Sequence, residues 1–395
     1  MKHIYQYIRS ATKSVLSGGK THTDFASYSD ESLTLHLIRM VTKKRVQDVY
    51  ADPLASAKLV GLHYTTDEMP GIRRKKHGKS FTYTDASGKT VKDAKTLKRI
   101  KSLVIPPAWT DVWICSSDAG HMQVTGKDAK GRKQYRYHPL WNRMRNLTKY
   151  HRMVPFAELL PRVRQRIQLD LKKPGLPREK VLATIVELLE RTLIRIGNEE
   201  YAKDNHSYGL TTMLNKHVTV NGSKLQFHFK GKSGVVHTID ISDSRLAKIV
   251  QKCQEIPGQH LFEYIDDAGN CQKIDSADVN AYLHDVLGEE YTAKDYRTWK
   301  GTVLMASHLQ DLGTFTTQKD EKEKIREAIK RVSRTLGNTP SVCKNYYVHP
   351  VVLQAYHEGS LHVVFAKMSE QSGDMQFFKP EERAVLHLLK KGGGK

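Results

Sequence analysis

The stretch Asn338 to Pro350, NTPSVCKNYYVHP, sets two tyrosines, Tyr346 and Tyr347, side by side in a polar, basic surrounding. A tyrosine in such a place can pack its ring against a core, stack on a base, or attack phosphorus as a covalent nucleophile. Three other stretches carry cations in settings that suit phosphate. RIGNEEY puts Arg195 at the end of an apolar helical run, FKGKSG puts Lys232 at the tip of a hairpin, and YTAKDYRTWKGT puts Arg297 between aromatic residues. Each alone has a plain structural account: a helix-end arginine answers a carboxylate or the helix dipole, a turn lysine faces water, and an arginine among rings stacks. As a set they supply what phosphoryl chemistry needs, a nucleophile with fixed cationic donors, for which the bidentate fork of arginine is best suited. The chain has no P-loop and no H-E-x-x-H, its acids form no cluster at metal-ligand spacing, and its 19 histidines are scattered. The chemistry is therefore expected to run with no cofactor, no nucleotide and no dedicated metal.

These residues must be held by elements that the pattern of the chain outlines. Residues 28–60 have helical apolar spacing. From Gly71 the texture turns basic and alternating: GIRRKKHGKSFTYT, then a helix through 94–101, then DVWICSS, GHMQVTG and KDAKGRKQYRYH. Residues 62–138 thus read as a small, very basic β-rich domain. After about Pro139 the pattern becomes helical, and in REKVLATIVELLERTLIRIG residues Val181, Leu182, Ile185, Val186, Leu189, Leu193 and Ile196 form one apolar stripe. A β interlude follows, HVTVNG and LQFHFKGKSGVVHTIDIS, and helices resume from about Ser244 to the end. QKDEKEKIREAIKRVSRTL reads as a solvated amphipathic helix and KKGGGK as a flexible tail. The fold class is α+β. It comprises an N-terminal extension of unknown role (1–61), the β-rich domain (62–138), a mainly helical catalytic domain with a β-hairpin insertion (139–380), and a helix end with a basic tail (381–395).

Composition narrows the partner. Lys and Arg number 64 against 42 acids, a net charge of +22. Such an excess favours a polyanion, because each neutralised phosphate releases condensed counterions. No apolar run approaches the length of a bilayer span, which argues against an integral membrane protein. The four cysteines form no C-x-x-C pair, which points to a reducing compartment: the cytoplasm, with nucleoid association if the source is bacterial. The first 23 residues hold no acid and lack a secretory core, and read as a basic arm.

The order Arg195, hairpin Lys232, Arg297, then GNTPSVCKNYYVHP resembles the catalytic domain of type IB DNA topoisomerases of the compact poxvirus-like and bacterial branch, a fold shared with tyrosine recombinases. PGIRRKKHGKSFTY, IPPAWTDVWI and TGKDAKGRKQYRYH look like the DNA-gripping β domain of the same family, so the resemblance covers about residues 62–375. It implies relaxation of positive and negative supercoils through a transient 3′-phosphotyrosyl link, strand rotation and religation. The nucleophile it implies is Tyr347, nine positions after Asn338. Arg195 and Arg297 would hold the non-bridging oxygens, and Lys232 would protonate the leaving 5′-oxygen. Poxvirus relatives carry His where this chain has Asn338, whose amide donates a hydrogen bond but exchanges no proton. Gln134, Tyr135 and Tyr137 match the segment that contacts DNA near the cleavage site, and Arg132, Lys133, Arg136 and Lys344 join them as candidate contacts. The implied partner is duplex DNA, gripped by a monomer that closes as a clamp. Two alternatives stand beside this reading. A tyrosine recombinase would usually carry H-x-x-R in place of Lys294-Asp-Tyr-Arg297, and a non-catalytic architectural DNA-binding protein would not need the four catalytic matches intact. Thr339-Pro340 should start a short helix that Pro350 limits, and adjacent helical residues point about 100° apart, so Tyr346 cannot share the task of Tyr347.

Overall fold

The computed structural model describes residues 52–78, 80–288, 291–370 and 377–392. The basic arm, the helical pattern over residues 28–51 and the last three residues of the tail lie outside them. Helix α1 (Pro53–Leu59) starts where the Asp52 carboxylate accepts from the Leu54 N–H at 2.8 Å, with proline at its first position.

Strands β1 (Gly71–His77), β2 (Ser80–Thr84), β3 (Thr110–Cys115), β4 (Met122–Lys127) and β5 (Lys133–Tyr137) form one antiparallel sheet in the order β2-β1-β3-β4-β5, with helix α2 (Ala94–Ser102) between β2 and β3. Their small core is Ile72, Ile100, Val112, Ile114 and Val124. Because β5 is an edge strand, it keeps its polar and aromatic side chains largely exposed. The strands cover the SFTYT and DVWICSS stretches that read as strand-like in the sequence.

Helix α3 (Pro139–His151) leaves β5 directly. Then come α4 (Met153–Asp170), α5 (Arg178–Thr192) and α6 (Glu199–Asn205). The β interlude is larger than a hairpin: β6 (Val218–Asn221), β7 (Lys224–Lys230) and β8 (Val236–Ser242) make a three-stranded antiparallel sheet in sequence order. After α7 (Ser244–Gln254), a segment expected to be helical instead holds a short hairpin, β9 (Glu263–Ile265) and β10 (Cys271–Lys273). Its turn is set by Asp266, whose carboxylate accepts from the N–H groups of Ala268 and Asn270 at 3.0 and 2.8 Å. The remaining elements are α8 (Ser276–Leu287), α9 (Ala293–Leu312), α10 (Gln318–Leu336), α11 (Pro340–Tyr347), α12 (Pro350–His357), α13 (Ser360–Glu370) and α14 (Pro380–Gly392). Helix α14 runs through Gly392 and buries Ala384, Val385, Leu386, Leu388 and Leu389 in the main core.

The apolar stripe of α5 is the spine of that core, with Val181, Leu182, Ile185, Val186 and Leu189 all buried. Its end differs from the sequence reading. The pattern continues through Leu193 and Ile196, but the helix stops at Thr192, because Leu193 turns left-handed (φ 57°) and its N–H closes on the Leu189 carbonyl at 2.9 Å. A left-handed leucine costs about 1–2 kcal/mol, offset here by keeping Leu193 and Ile194 buried while the chain changes direction. Arg195 is therefore on an extended segment beyond the helix. Among the described residues, no helix is long and apolar enough to cross a membrane. All four cysteines are free thiols.

Candidate active site

The left-handed turn at Leu193 throws Arg195 and Ile196 alongside a 3-10 turn at 210–212, where their carbonyls accept from the N–H groups of Leu210 and Thr211 at 2.8 and 2.7 Å. With its backbone pinned this way, half-buried Arg195 donates from Nη2 to Oδ1 of Asn338 at 2.6 Å, bridging 143 positions of sequence. Arg297 lies on the inner face of α9, only 5% exposed, between buried Tyr296 and Trp299. Its Nη2 donates to the Leu336 carbonyl at the end of α10, at 2.6 Å. The guanidinium stands 5.7 Å from the centre of the Tyr347 ring.

Tyr347 ends α11, which begins as expected: the Thr339 hydroxyl accepts from the Val342 N–H at 3.3 Å and Pro340 takes the first position. His349 caps the next helix and Pro350 opens it. Gly301 of α9 lets α11 approach, since a Cβ there would fall 2.9 Å from both the Cβ and the carbonyl oxygen of Tyr347. Tyr347 is half-buried and Tyr346 is 43% exposed, so the doublet does split into two environments.

The electrostatics follow from burial. Burial by itself raises the Tyr347 pKa, but the charges of Arg297 and Arg195, helped by the polar side chains of Arg297 and Asn338 beside it, outweigh it and lower the phenol below its ordinary value. For Arg297, burial comes first and the like charge of Arg195 second, lowering it to about 10 against the small opposing pull of Tyr347. Arg297 Nε and Asn338 Nδ2 are buried and meet no hydrogen-bond partner among the described residues. Two adjacent cations with spare buried donors favour an anion with several acceptor oxygens, such as a phosphodiester.

Lys232 sits where the sequence put it, in the 3-10 turn (Lys232–Gly234) joining β7 to β8, with Ser233 left-handed at φ 63°. Its side chain is exposed and borders a cleft of about 650 Å³ that is also lined by Arg195, Lys294, Arg297 and Tyr347. The fold thus gathers Arg195, Lys232, Arg297, Asn338 and Tyr347 at one place. Lys344 lies exposed on α11.

The other candidates line β5, some distance along the chain from the cleft residues. Strand alternation puts Lys133, Tyr135 and Tyr137 on one face and Gln134 and Arg136 on the other. Tyr135 and Tyr137 stack with centroids 5.9 Å apart and are 46% and 38% exposed. Lys133 pairs with Asp67 at 2.7 Å, while Arg132 and Gln134 both donate to Asp128, at 2.9 and 3.0 Å. Arg136 is exposed.

Sequence reasoning missed several residues around the site. His237 of β8 fills the space beside Gly231 and Gly337, so that a Cβ on Gly337 (φ 59°) would meet its Cε1 at 2.5 Å. Burial, followed by the charges of Arg195 and Arg297, lowers its pKa. Lys149 and Tyr150 of α3 reach α11, and Thr302 of α9 donates to the Tyr347 carbonyl at 3.1 Å. Only the paired glycines before Lys232 and Asn338 gave any local hint of such crowding.

A basic cleft edged by a tyrosine and desolvated arginines, on a helical core entered from a basic sheet, belongs to a protein that handles nucleic-acid phosphates. Residues 131–372 match the family model of the eukaryotic DNA topoisomerase I catalytic core, and residues 80–128 match that of the bacterial DNA topoisomerase IB N-terminal domain. The chain is 31% identical over 295 residues to DNA topoisomerase 1B of Acanthamoeba polyphaga mimivirus, which spans 73% of this chain and 88% of that protein. With DNA topoisomerase 1B of vaccinia virus (strain Copenhagen) it shares 24% identity over 299 residues, 74% of this chain and 92% of that one. The chain belongs to the type IB DNA topoisomerases. It is an isomerase, and its substrate is DNA.

Proposed function

We propose that Tyr347 is the nucleophile of this topoisomerase and that Arg195, Arg297, Asn338 and Lys232 serve it. The Tyr347 oxygen attacks a backbone phosphorus, the bond from phosphorus to the 5′-oxygen breaks, and Lys232 delivers a proton to that oxygen. The proton of the phenol leaves to solvent. Arg195 and Arg297 bind the non-bridging oxygens as their charge grows, and the Asn338 amide donates a further neutral hydrogen bond. The 3′-phosphotyrosyl bond stores the phosphodiester energy, so resealing is the same step reversed and needs no nucleotide. Torsion stored in the duplex drives rotation of the free 5′ end between cleavage and religation. The observation that carries this reading is the convergence of Arg195 and Arg297 on Tyr347, which lowers its pKa despite burial.

In this reading residues 62–138 are a DNA-gripping domain, 139–380 the catalytic domain, 1–61 an extension, and 381–395 a terminal helix and tail. A monomer closes as a clamp, in the cytoplasm and on nucleoid DNA if the source is bacterial. Support for the clamp comes from Lys130, in the β4–β5 turn, which donates to Asn205 Oδ1 at 2.6 Å and to the Asp204 carbonyl at 3.3 Å, at the end of α6. Exposed Tyr135, Tyr137, Lys133 and Arg136, with Arg132, Gln134 and Lys344, make the DNA contacts. Lys133, Arg132 and Gln134 exchange their aspartate partners for the duplex.

Supercoiled plasmid incubated in EDTA without ATP tests the whole reading. Both positive and negative supercoils should relax; failure to relax either one overturns it. Tyr347→Phe should bind DNA and form no covalent adduct, whereas Tyr346→Phe should cleave at close to the parent rate. An adduct persisting in Tyr347→Phe would show that the nucleophile lies elsewhere.

A further inference from the structure

A helix leaves its last carbonyls without donors of its own. The eight-residue α11 ends in an extended Val348. Its terminal carbonyls are instead capped by side chains from two other helices. Tyr150 Oη donates to the Val348 carbonyl at 2.8 Å and approaches that of Asn345 at 3.4 Å. Lys149 Nζ donates to the Tyr346 carbonyl. Thr302 Oγ1 donates to the Tyr347 carbonyl at 3.1 Å and accepts from the His349 N–H at the same distance.

Two of these capping groups, Lys149 and Tyr150, belong to α3. That helix is continuous with β5 through His138, whose ring accepts from the Leu140 N–H at 3.2 Å, and through Pro139 at its first position. Trp141 and Met144 are buried and anchor it. At 13 residues it is a strut about 20 Å long. Lys149 lies 4.8 Å over the Tyr150 ring and 5.7 Å from the centre of the Tyr347 ring. Burial, then the charge of Lys294, lowers its pKa to about 7, and charged or neutral its Nζ keeps N–H donors for the Tyr346 carbonyl at the C-terminal end of α11. Tyr150 is 4% exposed, and burial raises its pKa, so its hydroxyl stays a donor at any working pH.

We propose that Lys149 and Tyr150 are positioning residues: by capping the end of α11 they aim Tyr347, and through α3 they link that aim to the grip of β5 on DNA. The proposal rests on Tyr347 as nucleophile. Sub-ångström errors in aim are costly at a reacting centre, whereas DNA binding depends on other surfaces. Loss of a cap should therefore lower the cleavage rate and leave affinity alone.

The test uses the full chain and a duplex oligonucleotide that traps the covalent adduct. It reads duplex Kd, the single-turnover rate of adduct formation at saturating duplex, and the melting temperature. Lys149→Met and Tyr150→Phe, the latter keeping the ring and its packing, should each slow adduct formation about tenfold or more with Kd unchanged. Lys149→Arg, which keeps N–H donors at that end of α11, should recover most of the rate. Combining Lys149→Met with Tyr135→Ala should cost less than the product of the single losses, as expected of residues acting through one strut. Cleavage at the parent rate in both single variants, or a loss matched by Kd, overturns the positioning role. No recovery in Lys149→Arg removes Lys149 from it, and strictly multiplicative losses remove the link to β5. If the parent forms no adduct, or Tyr347→Phe forms one, the nucleophile reading has failed and the proposal falls with it.

Discussion

Two buried arginines of this molecule have opposite surroundings. Arg164 of α4, 9% exposed, is held by Glu190 of α5 and Glu382 of α14: its Nη2 lies 2.8 Å from Glu382 Oε1, its Nε lies 2.9 Å from Glu190 Oε1, and Lys300 of α9 adds a contact to Glu382 at 3.0 Å. Burial alone would lower its pKa, but the two glutamates raise it instead. Arg297, 5% exposed, has no carboxylate partner among the described residues, a second arginine nearby, and a pKa lowered to about 10. A buried charge is expensive unless it is paired. The Arg164 cluster meets that cost within the protein and so fastens α14 to the core. Arg297 leaves it unmet, which fits the proposal that its partner is the phosphate of the substrate. Burial therefore does not separate structural from functional arginines here; the neighbouring charges do.

The sharpest way to break this contrast is to remove each cation. Arg297→Met should lower single-turnover cleavage by about 10²–10³-fold while urea melts stay within about 1 kcal/mol of the parent. Arg164→Met should do the reverse, destabilising by about 3–5 kcal/mol because it strands buried carboxylates, with cleavage by the folded fraction little changed. Equal stability losses in the two variants would erase the distinction.

Acid titration sharpens it from the carboxylate side. Burial raises the Glu382 pKa, but the Arg164 hydrogen bond and the Lys300 and Arg164 charges take it down to about 2 from an ordinary 4.5. A carboxylate whose folded pKa is depressed stabilises fully above the unfolded value, and its contribution is lost as pH falls through the folded one. Stability should thus drop by roughly 3 kcal/mol between about pH 5 and pH 2 through this group, and Glu382→Gln should flatten that limb of the pH–stability curve. A smaller effect concerns the nucleophile. With its pKa lowered by the arginines, Tyr347 should give a cleavage rate that climbs with pH below the usual phenol range. Arg195→Gln should move that climb to higher pH, and an unmoved profile would separate the arginine charge from phenol ionisation. The smallest effect belongs to the exposed cations. Lys133→Ala should weaken binding evenly across duplex sequences and reduce the salt slope by about 0.9, without altering cleavage at saturation.

Much of the architecture could be read along the chain because it is local. SFTYT alternates, the other strands over 71–137 are short runs bounded by Gly and Asp turns, α5 shows its stripe, and α11 carries its cap and proline, all patterns set by near neighbours. The end of α5 was misread because Leu193 and Ile194 stay buried after the helix stops, and the apolar pattern records burial without recording backbone direction. The β9–β10 hairpin was missed because three-residue strands are too short to establish a period.

The candidate site divides in the same manner. The residue types, their order and the family resemblance were enough to nominate Arg195, Lys232, Arg297, Asn338 and Tyr347, since nucleophile and donors are chosen by chemistry that each short motif carries. The sequence by itself therefore determined the class of protein and nominated the residues proposed for the site. Only the tertiary structure decided that Arg195 meets Asn338, that Arg297 lacks a carboxylate where Arg164 has two, and that Lys149, Tyr150 and Thr302 cap the end of the tyrosine helix. The physical reason is that hydrogen bonds and desolvation act over a few ångströms in space, between residues that the chain separates by up to about two hundred positions.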